Sequence, residues 1–98
     1  MRTVNIRVTN AQIISGIKSD CNYCPVALAI KKELKEGYKV RVTDSSICLW
    51  AERQSVPYYL VGVPNEIKDF INKFDSGREV TGFEFSLEVP DEATGWFK

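Results

Sequence analysis

The chain has 98 residues, 44% hydrophobic and 27% charged, with 13 basic and 13 acidic side chains and a formal net charge of zero. That length and balance predict one globular domain with a real core, and they argue against a general nucleic-acid binder, which needs a net basic surface to release counterions. Histidine is absent, which removes the commonest general base and the commonest zinc ligand and excludes a Ser-His or Cys-His hydrolase unless a partner supplies the imidazole.

Val4, Ile6 and Val8 alternate with Asn5, Arg7 and Thr9, the period of a half-buried strand. Thr9-x-x-Gln12 reads as a capping box that starts a short helix bearing Ile13, Ile14 and Ile17 and ending near Lys18. After a connection over Ser19 to Cys24, Pro25 opens a second helix running to about Glu36, with Val26, Ala27, Ile30 and Leu34 on one face. Lys31, Lys32, Lys35 and Glu36 lie largely elsewhere, and Gly37 stands where a C′ glycine belongs.

Tyr38, Val40 and Val42 predict strand two, and Asp44-Ser45 a turn. Strand three covers Ser46 to Glu52, with Ile47, Leu49 and Ala51 facing one way and Cys48, Trp50 and Glu52 the other. Arg53-Gln54-Ser55 turns into strand four, Val56 to Val63, where Pro57 points to an edge or a strand start. Pro64-Asn65 opens a third helix on which Ile67, Phe70, Ile71 and Phe74 follow the i, i+3, i+4, i+7 rule, and Gly77 closes it. Phe83, Phe85, Leu87 and Val89 form the last strand, followed by a polar tail from Pro90 that carries Trp96 and Phe97.

The order βααβββαβ predicts a single α+β domain over residues 1–98, a mostly antiparallel sheet with helices packed on one face, and residues 91–98 as a flexible or docking tail. The middle connections are too short for parallel crossovers, so those strands form a meander whose polar face carries Lys39, Arg41, Cys48, Trp50 and Glu52.

The junction Asp20-Cys21-Asn22-Tyr23-Cys24-Pro25 concentrates the chemistry. As a dithiol at a helix start, Cys21 and Cys24 read as a redox pair, because that position lowers a thiol pKa; a helix rather than a strand precedes them, unlike a thioredoxin-type site. As half a metal site, Cys21, Cys24 and Cys48 supply three ligands and Asp20 or a second chain the fourth. As a packing element, Cys24 is a small buried hydrophobe under the helix start. The backbone N–H groups of Asn22, Tyr23 and Cys24 also offer an anion site, supported by Lys18 and Arg41, in competition with capping by Asp20 or Asn22. Trp50, Tyr58 and Tyr59 offer rings for a base or a partner's side chain, whereas Glu84 with Glu88 and Glu33 with Glu36 read as solvated faces. Trp96-Phe97 either folds back on the domain or docks on a partner.

The segment Val8-Thr9 … Ile13 … Gly16-Ile17 … Cys21-Asn22-Tyr23-Cys24-Pro25-Val26-Ala27-Leu28-Ala29 resembles a group of small bacteriophage-encoded proteins with the pattern V-T … I … G … C-x-x-C-P-x-A-x-A. Val63-Pro64 … Phe70-Ile71 … Phe74-Asp75-Ser76-Gly77 … Val80 … Phe83-Glu84-Phe85 is similar to their second block, with Thr81-Gly82 standing where that block has a proline. The resemblance covers most of the chain but not the tail from Pro90, and it implies a small accessory phage protein that acts by binding, either inhibiting a host enzyme or sequestering an immune signal such as a cyclic nucleotide.

The resulting expectation is a non-enzymatic, cofactor-free protein of the host cytoplasm that captures a small nucleotide-like ligand through Asn22, Tyr23, Cys24, Lys39, Arg41, Trp50 and Tyr58. A domain this small rarely encloses a ligand alone, so a homo-oligomer is expected. No apolar run approaches the roughly 18 residues that span a bilayer, the first residues lack a signal-peptide core, and an odd number of cysteines fits a reducing compartment. The alternatives are direct inhibition of a host protein, contacted by a sheet edge or by Trp96-Phe97, and a metal or redox role for the cysteines.

Overall fold

The computed structural model describes residues 2–43, 46–52 and 63–98 and the backbone of residues 59–61. Its elements are β1 (Arg2–Val8), α1 (Asn10–Ser15), α2 (Pro25–Glu33), β2 (Tyr38–Val42), β3 (Ile47–Ala51), β4 (Tyr59–Val61), α3 (Asn65–Asp75), β5 (Phe83–Val89) and a terminal 3-10 helix, Asp91–Trp96. The radius of gyration, 12.7 Å, matches the about 13 Å of a single domain of this length.

The alternating strands place their apolar residues as the period requires. Val4, Ile6 and Val8 on β1 and Phe85, Leu87 and Val89 on β5 are buried, and the two strands pair antiparallel with Ile6 opposite Phe85. In the meander, Val40 faces Leu49 and Val42 faces Ile47, all buried, while Lys39 opposite Trp50 and Arg41 opposite Cys48 form the other face. β4 pairs with β3, Cys48 lying opposite Leu60.

Where a single sheet was expected, the described strands make two antiparallel sheets, β1-β5 and β2-β3-β4. Helix α2 packs against both β1 and β2. It buries Val26, Ala27, Ala29 and Ile30. With apolar groups on both sheets to cover, the helix joins two layers rather than lying on one face.

Helix α3 buries Ile67, Phe70, Ile71 and Phe74, its Phe70 ring lying 4.9 Å from Phe83. Helix α1 starts at the predicted box, where Gln12 Oε1 accepts the Thr9 N–H at 2.8 Å, but it stops at Ser15 and leaves Ile14 83% and Ile17 52% exposed. A Cβ on Gly16 would lie 2.7 Å from the Pro25 ring, so this glycine lets the end of α1 sit against the start of α2.

Helix α2 ends at Glu33, three residues short of the expected Glu36. Leu34 leaves the helix to bridge Phe97, and Lys35 N–H donates to the Trp96 carbonyl at 2.8 Å. Long-range backbone pairing thus replaces the last helical turn. Gly37, φ +94°, is a turn residue before β2 instead of a helix C′ position. Strand β3 is two residues shorter than read. Strand β4 is described only over Tyr59–Val61, and the readings on Asp44, Ser45, residues 53–58 and Pro57 lie outside the described residues.

The terminal segment is part of the core. Phe97 is 1% exposed, Trp96 stacks on Tyr38 at 4.8 Å, and Ala93 is buried. The Arg2 guanidinium donates to the Thr94 and Lys98 carbonyls at 3.0 Å each. Among the described residues no helix is long and apolar enough to cross a membrane.

Candidate functional site

The Asp20–Pro25 junction is held from three sides. Ser19, at φ 58°, donates its N–H to Asp75 Oδ1 at 2.9 Å. Ile17 N–H donates to the Tyr23 carbonyl at 2.8 Å, and Val42 N–H to the Cys21 carbonyl at 2.9 Å. The loop is therefore tied to α3, to its own approach segment and to β2.

Asp20 Oδ1 accepts the N–H groups of Asn22 and Tyr23 at 2.9 and 3.2 Å. Two of the three backbone donors read as an anion site, those of Asn22 and Tyr23, are already bonded to a carboxylate of the same loop. A tethered acceptor has no translational entropy to lose, and its negative charge repels a free anion. The anion reading of these N–H groups gives way to capping.

Cys24 is the N-cap of α2, its Sγ accepting the Ala27 N–H at 3.4 Å, and it is 4% exposed. Burial pushes its thiol above the ordinary value of 9.0, outweighing the lowering by the Ala27 and Val26 N–H groups; Asp75 and Cys21 push it further up. Of the readings open to Cys24, the buried packing element under the helix start is the one observed, and desolvation outweighs the activating effect of the helix start. All three cysteines are free thiols. Cys21 and Cys24 line a cavity of about 390 Å³ with Val42, Ile71 and Asp75. Cys48 lies on the polar face of the meander, opposite Arg41. Among the described residues no group of three or more Cys, Asp or Glu is placed to hold a metal ion.

A second hollow gathers much of what the sequence singled out. A cleft of about 170 Å³ is lined by Asn22, Tyr23, Lys31, Lys39, Val40 and Trp50. Four of the seven expected ligand residues meet there: Asn22 and Tyr23 from the junction, Lys39 from β2 and Trp50 from β3. The cross-strand pair Lys39–Trp50 puts those two side chains on one face. Cys24 is turned into the core instead, Arg41 is exposed two residues further along β2 beside Cys48, and Tyr58 lies outside the described residues.

Lys31 is the residue the sequence reading missed, having been placed only off the apolar face of α2. It lies two helical turns beyond Cys24, a spacing that returns it to the side of the junction and was the available signal. Its Nζ stands 6.0 Å from the Tyr23 ring centroid, at the limit of a cation–π contact. Lys39 Nζ lies 3.5 Å from Glu52 Oε1, with both side chains substantially exposed. The cleft thus joins two aromatic rings to two ammonium groups, each ring with a lysine beside it. Tyr23, 47% exposed, forms part of its rim.

Glu84 and Glu88, read as a solvated face, lie on a different surface. Glu84 takes a 2.7 Å bond from Arg7 Nε and a 3.4 Å bond from Asn5, which hold it below the ordinary value of 4.5. Glu88 lies opposite Thr3 on the same outer face of the β1-β5 sheet.

Comparison with protein families, with curated proteins and with solved structures finds nothing that matches this chain.

Proposed function

We propose that this chain is a small non-enzymatic binding protein that captures a nucleotide-like ligand in the cleft between the Asp20–Pro25 junction, α2 and the β2-β3 face. The observation that carries the reading is the convergence of Tyr23 and Trp50 with Lys31 and Lys39 on one hollow. A planar base has faces to stack on the rings, worth about 1–3 kcal/mol per base, and a phosphate has two ammonium groups to meet.

The cleft volume, about 170 Å³, falls short of the roughly 300–1,000 Å³ of ordinary ligand pockets. One protomer therefore covers only part of a nucleotide, and the reading includes a homo-oligomer in which a second copy covers the rest. The resemblance to phage-encoded proteins gives the biological form of the proposal: sequestration of a nucleotide immune signal in the host cytoplasm.

Native mass spectrometry of protein taken directly from the cell, followed by calorimetry with mononucleotides and cyclic dinucleotides, tests this. An assembly that binds a nucleotide, and loses at least tenfold in affinity on Trp50→Ala, supports it. A monomer that gives no heat with any of these probes overturns it.

Direct binding of a host protein is the second reading. Trp96-Phe97 packs on the domain, so the observation that favours this reading is the exposure of Ile14, Ile17 and Tyr23; the last two are joined by the Ile17 N–H to Tyr23 carbonyl bond. Stoichiometric capture of one host protein, lost on Ile14→Asp and Ile17→Asp, would favour this reading over the first.

A further inference from the structure

The cleft contains a built-in competitor for its own cation. Lys39 and Trp50 are cross-strand partners. Glu52 follows Trp50 by two residues, so the strand period returns it to the same side. Its backbone is anchored just past the end of β3, where Glu52 N–H donates to the Gly37 carbonyl at 2.8 Å. From there its carboxylate reaches Lys39 Nζ at 3.5 Å.

Resting on the reading of the cleft as a nucleotide site, we infer that Glu52 competes with a ligand phosphate for Lys39, lowering the affinity for phosphate-bearing nucleotides while leaving that for a neutral nucleoside unchanged. A ligand phosphate that takes Lys39 must displace the Glu52 carboxylate and then sit beside it. A single negative charge replaces one anionic partner with another and gains little. A phosphate that also engages Lys31, which reaches the same hollow from α2, gains a second contact that offsets part of this repulsion. A neutral nucleoside leaves the Lys39–Glu52 pair intact and binds by stacking alone. The pair is 42% and 57% exposed at its two side chains, so its competition is screened and of modest size.

The test is calorimetry of the whole chain at low salt and pH 7.5 with three probes that share one base: adenosine, 3′,5′-cyclic AMP and AMP. Glu52→Gln should tighten AMP and cyclic AMP by about two- to fivefold, the range that an exposed ion pair supports, and leave adenosine unchanged. In a Lys39→Gln background the same substitution should have no effect. Unchanged affinities for both phosphates in Glu52→Gln, or an equal gain for adenosine, would overturn the role of Glu52 while the cleft remained a nucleotide site. No binding of any probe by the unmodified chain would overturn the site itself and this inference with it.

Discussion

Replacing Phe97 with alanine removes a ring that is 1% exposed at the second-to-last position of the chain. A flexible or docking tail would lose almost nothing. In this structure Phe97 bridges Leu34, Lys98 N–H donates to the Glu33 carbonyl at 2.8 Å, and Arg2 ties down the Thr94 and Lys98 carbonyls. A fully buried Phe→Ala change costs about 3–5 kcal/mol, transfer and cavity together. The whole stability of a domain this size is about 5–15 kcal/mol. At about 4–8 °C per kcal/mol, Tm should fall by at least about 12 °C, with a matching drop in the urea midpoint. Phe97→Leu keeps most of the volume and should cost less than about 1.5 kcal/mol. Circular dichroism melts of the three proteins decide the matter. A Phe97→Ala melt within about 3 °C of the unmodified chain would refute the packing of the tail and return it to the role of a docking segment.

Gly16→Ala places a methyl group 2.7 Å from the Pro25 ring and 3.0 Å from the Gln12 carbonyl; a loss of about 1–3 kcal/mol in urea unfolding is expected, and an unchanged midpoint would show that α1 does not press on α2. Cys24, buried and with its thiol pKa raised, should react with iodoacetamide well after the half-buried Cys21 at pH 8; peptide mass spectrometry giving equal rates would contradict the burial. Glu84 is held below 4.5 chiefly by its hydrogen bonds from Arg7 and Asn5. A depressed folded pKa contributes stability that is present above the unfolded value and is lost as the pH falls through the folded one. An NMR titration should therefore show the Glu84 pKa rising in Arg7→Ala, together with a weaker acid-side loss of stability; an unmoved titration would break the assignment.

How far the site was legible depended on whether its residues answer to local or distant partners. Trp50 and Lys39 were readable as one polar surface, because the two-residue strand period and the few residues between the two apolar runs leave little freedom in their register. Asn22 and Tyr23 were readable as a loop at a helix start, but their hydrogen bonds were not: Asp20, two and three residues away, competes with any external anion, and only geometry shows that it wins. Cys24 showed the opposite balance. The helix start that lowers a thiol pKa is a local feature, while the burial that raises it comes from the packed interior. Lys31 was lost among the other lysines of α2 because a helix surface is ambiguous until its neighbours are placed.

The sequence by itself determined the mixed α+β class and the buried faces of β1, β5, the β2-β3 hairpin, α2 and α3. Periods of 2 and 3.6 are properties of the local backbone, so Val4, Ile6 and Val8, or Ile67, Phe70, Ile71 and Phe74, could face the core in only one way. Only the tertiary structure decided that the strands divide into two sheets, that β1 pairs with β5 from the far end of the chain, and that Phe97 draws Leu34 out of helix α2. Those contacts join residues separated by most of the chain. No local pattern encodes them, because their free energy comes from which apolar surfaces meet once the elements have formed.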